Sequence, residues 1–241
     1  MVILAGGLGT RMLPRTATMP KFLLPVAGKP FACWQLARLA AAGFDEALIC
    51  VAHLGEEIRR EVGHGARFGL RVRYADEGET LLGTAGALRR ALAALQSTFL
   101  VTYGDSYLPF DYLGPLRDLR AHPEARGTMA VWKNEGRFDR SNTVVRGEIV
   151  ARYRKQARDE AVDPAFDHID YGATALRREV IEALPASAPC GLDSVQRALA
   201  DAGTLRAFPA PRRFFEIGSE AGLHDLEIEL GQAALDQGAA R

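Results

Sequence analysis

Val2-Ile3-Leu4-Ala5-Gly6-Gly7-Leu8-Gly9-Thr10-Arg11-Met12 carries a short apolar run straight into a cluster of glycines. A run of this kind, bounded by turn residues, reads as a buried strand with a loop at its carboxyl end. Because glycine adds no side chain, successive N–H groups of such a loop can line a concavity for phosphate oxygens, and Arg11 can add a two-pronged cationic contact. A plain tight turn is the other use of the same residues. Two familiar phosphate loops do not fit. A dinucleotide fingerprint counted from Gly7 and Gly9 needs glycine where Met12 stands, and no glycine-lysine-serine/threonine ending occurs.

Outward from this loop, helical and strand periodicities alternate. The spacing predicts helices over 30–42, 56–62 and 84–95, and strands over 47–52, 70–74 and 98–103. That order predicts the doubly wound α/β class, a mainly parallel sheet with helices on both faces. Beyond it the pattern loosens into strands at 128–133, 143–146 and 149–153, the last two joined through Gly147 as a hairpin. Further strands are expected at 168–176, 206–208 and 214–217, then a helix from 220 to about 235. The second half therefore reads as a small β insertion on the substrate side. No repeat or polar linker divides the chain, so one domain is expected over residues 1–241.

Thirty basic and thirty acidic residues cancel, which gives no net attraction for nucleic acid or an anionic membrane. A polyanionic ligand must then be held by local geometry. The basic pairs Arg59-Arg60 and Arg212-Arg213 have acidic neighbours and no interleaved aromatics, the pattern of solvated faces. Cys33, Cys50 and Cys190 show no disulfide or zinc spacing and read as buried thiols of a reducing compartment. No signal-peptide pattern and no window of about 20 apolar residues is found, so the expected location is cytoplasmic. The five histidines lack metal-ligand spacing, and Trp34 and Trp132 fit core packing.

Asp105 follows the apolar strand ending at Tyr103, which puts its carboxylate at the edge of the sheet that the glycine loop also faces. A carboxylate there suits Mg²⁺, a hard ion that takes one or two protein carboxylates plus substrate phosphates. A turn cap is the alternative for Gly104-Asp105-Ser106.

The run from Leu4 to Met12, followed by Pro20-Lys21 and by Leu24-Pro25-Val26-Ala27-Gly28-Lys29-Pro30, resembles the sugar-phosphate nucleotidyltransferases. That family's signature is glycine-glycine-x-glycine-threonine-arginine with a proline-lysine pair about ten residues on. The resemblance continues through Leu82-Gly83-Thr84-Ala85-Gly86-Ala87, Gly104-Asp105-Ser106, Gly147 to Lys155, and Phe215-Glu216-Ile217-Gly218. It is greatest to the short branch of heptose 1-phosphate guanylyltransferases and their uridylyl-transferring relatives, which lack a C-terminal acyltransferase helix.

The resemblance implies transfer of a nucleoside monophosphate from a nucleoside triphosphate to a sugar 1-phosphate, with Mg²⁺ and release of pyrophosphate. Such chemistry needs alignment and electrostatic stabilisation of two polyanions. It implies a mainly nucleotide-binding half over 1–127 and a mainly sugar-phosphate-binding half over 128–241. Arg11 would hold the departing β and γ phosphates, Lys21 would meet the α-phosphate, and Asp105 would bind metal. Leu4, Ala5, Gly6, Gly7, Gly9, Thr10, Gly83 and Thr84 would contact the nucleotide. The second metal carboxylate falls on Glu216, where the family usually has aspartate. Lys155 would meet the sugar phosphate, with Arg154 as a neighbouring competitor and a charged hairpin edge as the other use. Asn142 and Gly172 fall near positions that touch sugar hydroxyls.

Base choice has a physical handle of its own. Guanine presents adjacent N–H donors, whereas uracil offers one donor between two acceptors, so a carboxylate in the base pocket favours guanine. Glu77 and Glu79 are the candidates, with solvated loop glutamates as the alternative. The expected substrates are thus GTP and a heptose 1-phosphate, with UTP and an amino-sugar 1-phosphate as the alternative. A catalytically silent nucleotide-sensing subunit is the alternative of another class.

Overall fold

The computed structural model describes residues 1–78, 80, 82–155, 163–186 and 188–239. Its first element is β1 (Val2–Leu4), whose three residues are all buried. After the glycine loop come the tiny strands β2 (Pro25–Val26) and β3 (Lys29–Pro30), which pair with each other, and then α1 (Phe31–Ala41). β4 (Glu46–Val51), α2 (Gly55–Val62), β5 (Arg71–Asp76), α3 (Gly83–Arg90) and β6 (Thr98–Tyr103) follow. The expected alternation is therefore present.

In the second half lie β7 (Ser106–Tyr107), α4 (Gly114–Ala121), β8 (Gly127–Lys133), β9 (Thr143–Arg146), β10 (Ile149–Tyr153) and β11 (His168–Arg177). The chain goes on through α5 (Arg178–Glu182), α6 (Leu192–Asp201), β12 (Leu205–Pro209), β13 (Phe215–Glu216) and α7 (Glu220–Ala239). Helices α4, α5 and α6 and the short strands β2, β3 and β7 are additions to the expected set. Among the described residues no helix is long and apolar enough to cross a membrane.

Nine strands form one sheet in the order β5-β4-β1-β6-β11-β8-β12-β10-β9. The β5-β4-β1-β6 side is parallel throughout, as the alternating pattern implies. The other side is mixed: β11 runs antiparallel to both β6 and β8, β12 is parallel to β8, and β10 is antiparallel to β12 and β9. The parallel character thus belongs to the N-terminal half. Direction in the second half is set by long-range pairing, which local periodicity does not encode.

The alternation of strand side chains places helices on both faces. Ile3 packs on one face with Leu36 and Leu39 of α1, and with Leu223, Leu226 and Leu230 of α7. Val2 and Leu4 pack on the other with Leu88 of α3 and with Leu192 and Val195 of α6. Full burial of each such side chain is worth roughly 1.5–3 kcal/mol. Of the three thiols only Cys50 is buried; Cys33 and Cys190 are half-buried, because each lies near a helix end rather than within the sheet.

β1 sits between β4 and β6, so successive connections leave it in opposite directions. A crevice opens outside the carboxyl ends of strands at such a switch point. The register Leu4↔Tyr103 sets the glycine loop beside Gly104 and Asp105, and the Gly104 N–H donates to Leu4 O at 2.9 Å.

Candidate active site

Two cavities meet at that crevice. The first, of about 210 Å³, is lined by Leu4, Ala5, Gly6, Gly7, Lys21, Glu77, Gly83, Thr84 and Asp105 among others. A second, of about 750 Å³, is lined by Arg11, Asn142, Lys155, Gly172 and Glu216, with Asp139, Arg140 and Asp170. Tyr103 and Asp105 belong to both walls. Most of the residues singled out in the two halves of the sequence therefore line two cavities with a common boundary.

Each part of the first wall has a local cause. At Gly6 a β-carbon would collide with the Glu77 carboxylate, so only glycine allows the close approach. Glu77 follows β5 and is fixed by its N–H donating to Val51 O at 2.8 Å; its side chain is buried, with the residue 7% exposed. Burial raises its pKa above the usual carboxylate range, while Arg90 pulls the other way. Gly7 has open space where a side chain would be. Gly83 has φ +76°, and a β-carbon there would lie 2.7 Å from Cys190 O. The Thr84 hydroxyl accepts from the Leu192 N–H at 2.7 Å, and the amides of Ala85 and Gly86 both donate to Cys190 O. Gly83 and Thr84 thus clamp α3 to the segment before α6 as well as facing the cavity.

Gly9 and Thr10 stand apart from both linings. Gly9 adopts φ +64° to start a single 3-10 turn, and its carbonyl accepts from Thr16 Oγ1 at 2.8 Å. Its role is the turn that carries Arg11. Glu79 lies outside the described residues.

Lys21 Nζ lies 3.0 Å from Asp105 Oδ2, an ion pair between two largely buried side chains. The antiparallel pairing of β13 with β7 matches Glu216 to Ser106, and Ile217 N–H donates to Asp105 O at 3.0 Å. Two carboxylates, Asp105 and Glu216, are thereby brought to one edge. Burial and then the Asp105 charge push Glu216 up to about 7, against the pull of Arg11 and Lys21. Gly218 completes the group, since a β-carbon there would meet Arg11 Nη2 at 3.3 Å and Lys21 Nζ at 3.8 Å. Two hard oxygen donors whose like charges oppose each other, facing a cleft, suit a divalent cation.

In the second cavity the Asn142 side chain serves the backbone of β11 and its neighbour Thr143 first. Its Oδ1 accepts from the Asp170 N–H at 2.8 Å and the Thr143 hydroxyl at 2.9 Å. Gly172, at φ +86°, donates its N–H to Asp170 Oδ1 at 2.9 Å. Asp170 Oδ2 also accepts from Gln196 at 3.2 Å and from the Tyr153 hydroxyl at 3.4 Å. Burial raises Asp170's pKa, and the donors and Lys155 counter it. Sequence reasoning overlooked Asp170 as a site residue. The available signal was a lone carboxylate between Ile169 and Tyr171 in a strand of largely apolar residues.

The family model for nucleotidyl transferases matches residues 1–139, and the chain belongs to that family. Over 124 residues, 51% of this chain and 54% of the relative, it is 42% identical to the N-acetylmuramate α-1-phosphate uridylyltransferase of Neisseria meningitidis. Over 186 residues, 76% of this chain and 50% of the relative, it is 30% identical to a mannose-1-phosphate guanylyltransferase of Mycobacterium tuberculosis. The chain thus spans about half the length of these curated relatives. The solved structure of HddC from Yersinia pseudotuberculosis has the same fold, with a TM-score of 0.77, 21% identity, and coverage of 95% of this chain and 98% of that one.

Proposed function

We propose that the protein transfers a nucleoside monophosphate from a nucleoside triphosphate to a sugar 1-phosphate, giving a nucleotide sugar and pyrophosphate. The observation that carries this reading is the Lys21–Asp105 pair, whose carboxylate lies in the wall shared by the two cavities. A nucleotide in the first cavity and a sugar phosphate beside Lys155 in the second would meet there. A phosphate oxygen of the sugar 1-phosphate attacks the α-phosphorus as the bond to the bridging oxygen breaks, and the electron pair leaves with pyrophosphate. No covalent intermediate with the protein is required.

Arg11 and Lys21 offset the repulsion between the reactants, Arg11 on the departing β and γ phosphates and Lys21 on the α-phosphate. Asp105 and Glu216 would hold Mg²⁺, which supplies neutralisation of phosphate charge when bound. On the sugar side, Lys155 meets the phosphate while Asn142 and Gly172 hold Asp170 toward the hydroxyls. Residues 1–127 serve mainly the nucleotide and 128–241 mainly the sugar phosphate.

For the base we favour guanine, because the Glu77 carboxylate is fixed against Gly6 in the first cavity, where an acceptor matches two adjacent N–H donors. A heptose 1-phosphate is the favoured acceptor. The 42% identity to a uridylyltransferase over the first half supports the second reading, UTP with an amino-sugar 1-phosphate.

Pyrophosphate release measured with Mg²⁺ across GTP, UTP, ATP, CTP and dTTP against a panel of sugar 1-phosphates tests both. Preference for GTP that falls about tenfold or more relative to UTP in Glu77→Gln supports the guanine reading, since a lost paired acceptor is worth about 1–3 kcal/mol. Equal use of both bases by wild type and variant overturns it. No turnover with any pair would favour the silent sensor.

A further inference from the structure

We infer that Gln35 is a positioning residue for Asp105, acting through the backbone of the turn that carries the carboxylate; the inference rests on the function proposed above. Gln35 lies in α1 and is wholly buried, at 0% exposure. Its Nε2 donates to Tyr103 O at 2.8 Å and to Ser106 O at 2.9 Å. These two carbonyls bracket Gly104 and Asp105. Both N–H groups of one planar amide are therefore committed to one turn. The amide's own Oε1 is buried without a hydrogen-bond partner. An apolar side chain would remove the orphaned Oε1 but leave the Tyr103 and Ser106 carbonyls without these donors, so what glutamine supplies is the fixed pair of donors.

The same helix also holds the segment that follows Lys21. Phe31 N–H donates to Leu24 O at 2.9 Å, and Trp34 Nε1 donates to Val26 O at 2.9 Å. Phe22, next to Lys21, meets Phe31 edge-on with ring centroids 6.4 Å apart. One turn beyond Gln35, Arg38 donates to the Tyr107 hydroxyl at 3.3 Å. α1 thus acts as a jig between the turn of Lys21 and the turn of Asp105, and the 3.0 Å contact joins two segments fixed to one helix. Strand pairing ties the Asp105 turn to β1 through Gly104 N–H and to the residue after β13 through Ile217 N–H; Gln35 ties it to the helical layer.

Removing these donors frees the turn to shift relative to Lys21, and a misplacement of about 1 Å can cost about a hundredfold in rate. Nucleotide contacts made by the glycine loop and Glu77 are left in place. The test compares wild type, Gln35→Met, Gln35→Glu and Asp105→Asn in full-length protein. It reads Mn²⁺ affinity by electron paramagnetic resonance, turnover, nucleotide KM and the thermal midpoint. Gln35→Met is expected to lower kcat about tenfold to a hundredfold and weaken Mn²⁺ binding several-fold, with nucleotide KM within about twofold. Gln35→Glu keeps the shape but presents acceptors to the carbonyls, so it should lose rate in the same direction and recover in part as protonation restores one donor.

A Gln35→Met protein that binds Mn²⁺ and turns over like wild type overturns the inference. So does a rate loss that merely follows the folded fraction. If wild type neither turns over nor binds Mn²⁺ through Asp105, the proposed function and this inference fail together. An active wild type beside an indifferent Gln35→Met removes the inference alone.

Discussion

Asp118 and Glu216 are both carboxylates drawn away from water, and the two regions around them treat charge in opposite ways. In the distal half of the sheet, Asp118 accepts from Arg206 at 2.9 and 3.0 Å and from the Thr128 hydroxyl at 2.8 Å. Burial disfavours its charged form, yet these donors prevail and its pKa lies below the usual range. At the cleft, burial and the Asp105 charge together raise Glu216. One region completes its ion pairs within the protein; in the other Lys21 pairs with Asp105, and Glu216 is left beside that carboxylate with no ion pair of its own among the described residues. Charge matched internally supports the fold; charge left unmatched marks where charged ligands enter.

The largest expected effect lies on the unmatched side. Asp105→Asn keeps the shape and removes the charge, and turnover should fall about a thousandfold, near 4 kcal/mol of transition-state stabilisation. Its thermal midpoint should stay within a few degrees of wild type. Near-normal turnover would take Asp105 out of the reaction and dissolve the contrast.

On the matched side the outcome reverses. Asp118→Ala leaves the Arg206 guanidinium, whose side chain is only 8% exposed, without its main partner. A loss of about 3 kcal/mol in denaturant unfolding is expected, with kcat of the folded protein unchanged. A stability loss below about 1 kcal/mol would show the pair to be a surface contact in effect.

Much of the unmatched site was legible because its chemistry is local. Gly6, Gly7 and Arg11 lie within one run and Asp105 follows an apolar strand, which puts both at one sheet edge, while Lys21 was added by the resemblance to the sugar-phosphate nucleotidyltransferases. The approach of Glu216 to the Asp105 turn was not legible from pattern. It depends on β7 and β13, two strands of two residues each, too short for any periodicity. Helix α6 did carry a signal in Leu192, Val195 and Leu199, but the buried Gln196 interrupts the apolar face, because its amide serves Asp170 and Thr174. Gln35 is silent for the same reason. A glutamine in an amphipathic helix reads as solvated until the fold shows which carbonyls it meets.

The two lysines sharpen the contrast between the cavities. Lys21→Ala should mainly reduce kcat, since its partner is Asp105 at the shared wall. Lys155→Ala should mainly raise KM for the sugar 1-phosphate, by about tenfold, because Lys155 lines the second cavity at an exposed position. Steady-state kinetics with each substrate varied in turn separates them, and the reverse pattern would exchange the two roles.

The smallest effect is the pH dependence of stability, where the two carboxylates should oppose each other. Asp118 has a folded pKa below its unfolded value of about 3.9, so its contribution is present above that pH and is lost as pH falls through the folded pKa. Glu216 is raised from 4.5 to about 7, so its contribution is fully present below about pH 4.5 and is lost as pH rises through about 7. Thermal midpoints of metal-free protein, taken from about pH 2 to 8, should therefore fall on both sides of a maximum. Asp118→Ala should flatten the acid limb, and Glu216→Gln should flatten the limb between about pH 5 and 7.5. Added Mg²⁺ should do to that second limb what Glu216→Gln does, since a cation matches the charge that the protein leaves unpaired. An unchanged slope in Glu216→Gln would mean that Glu216 ionises freely, and the cleft would then be no more frustrated than the network around Arg206.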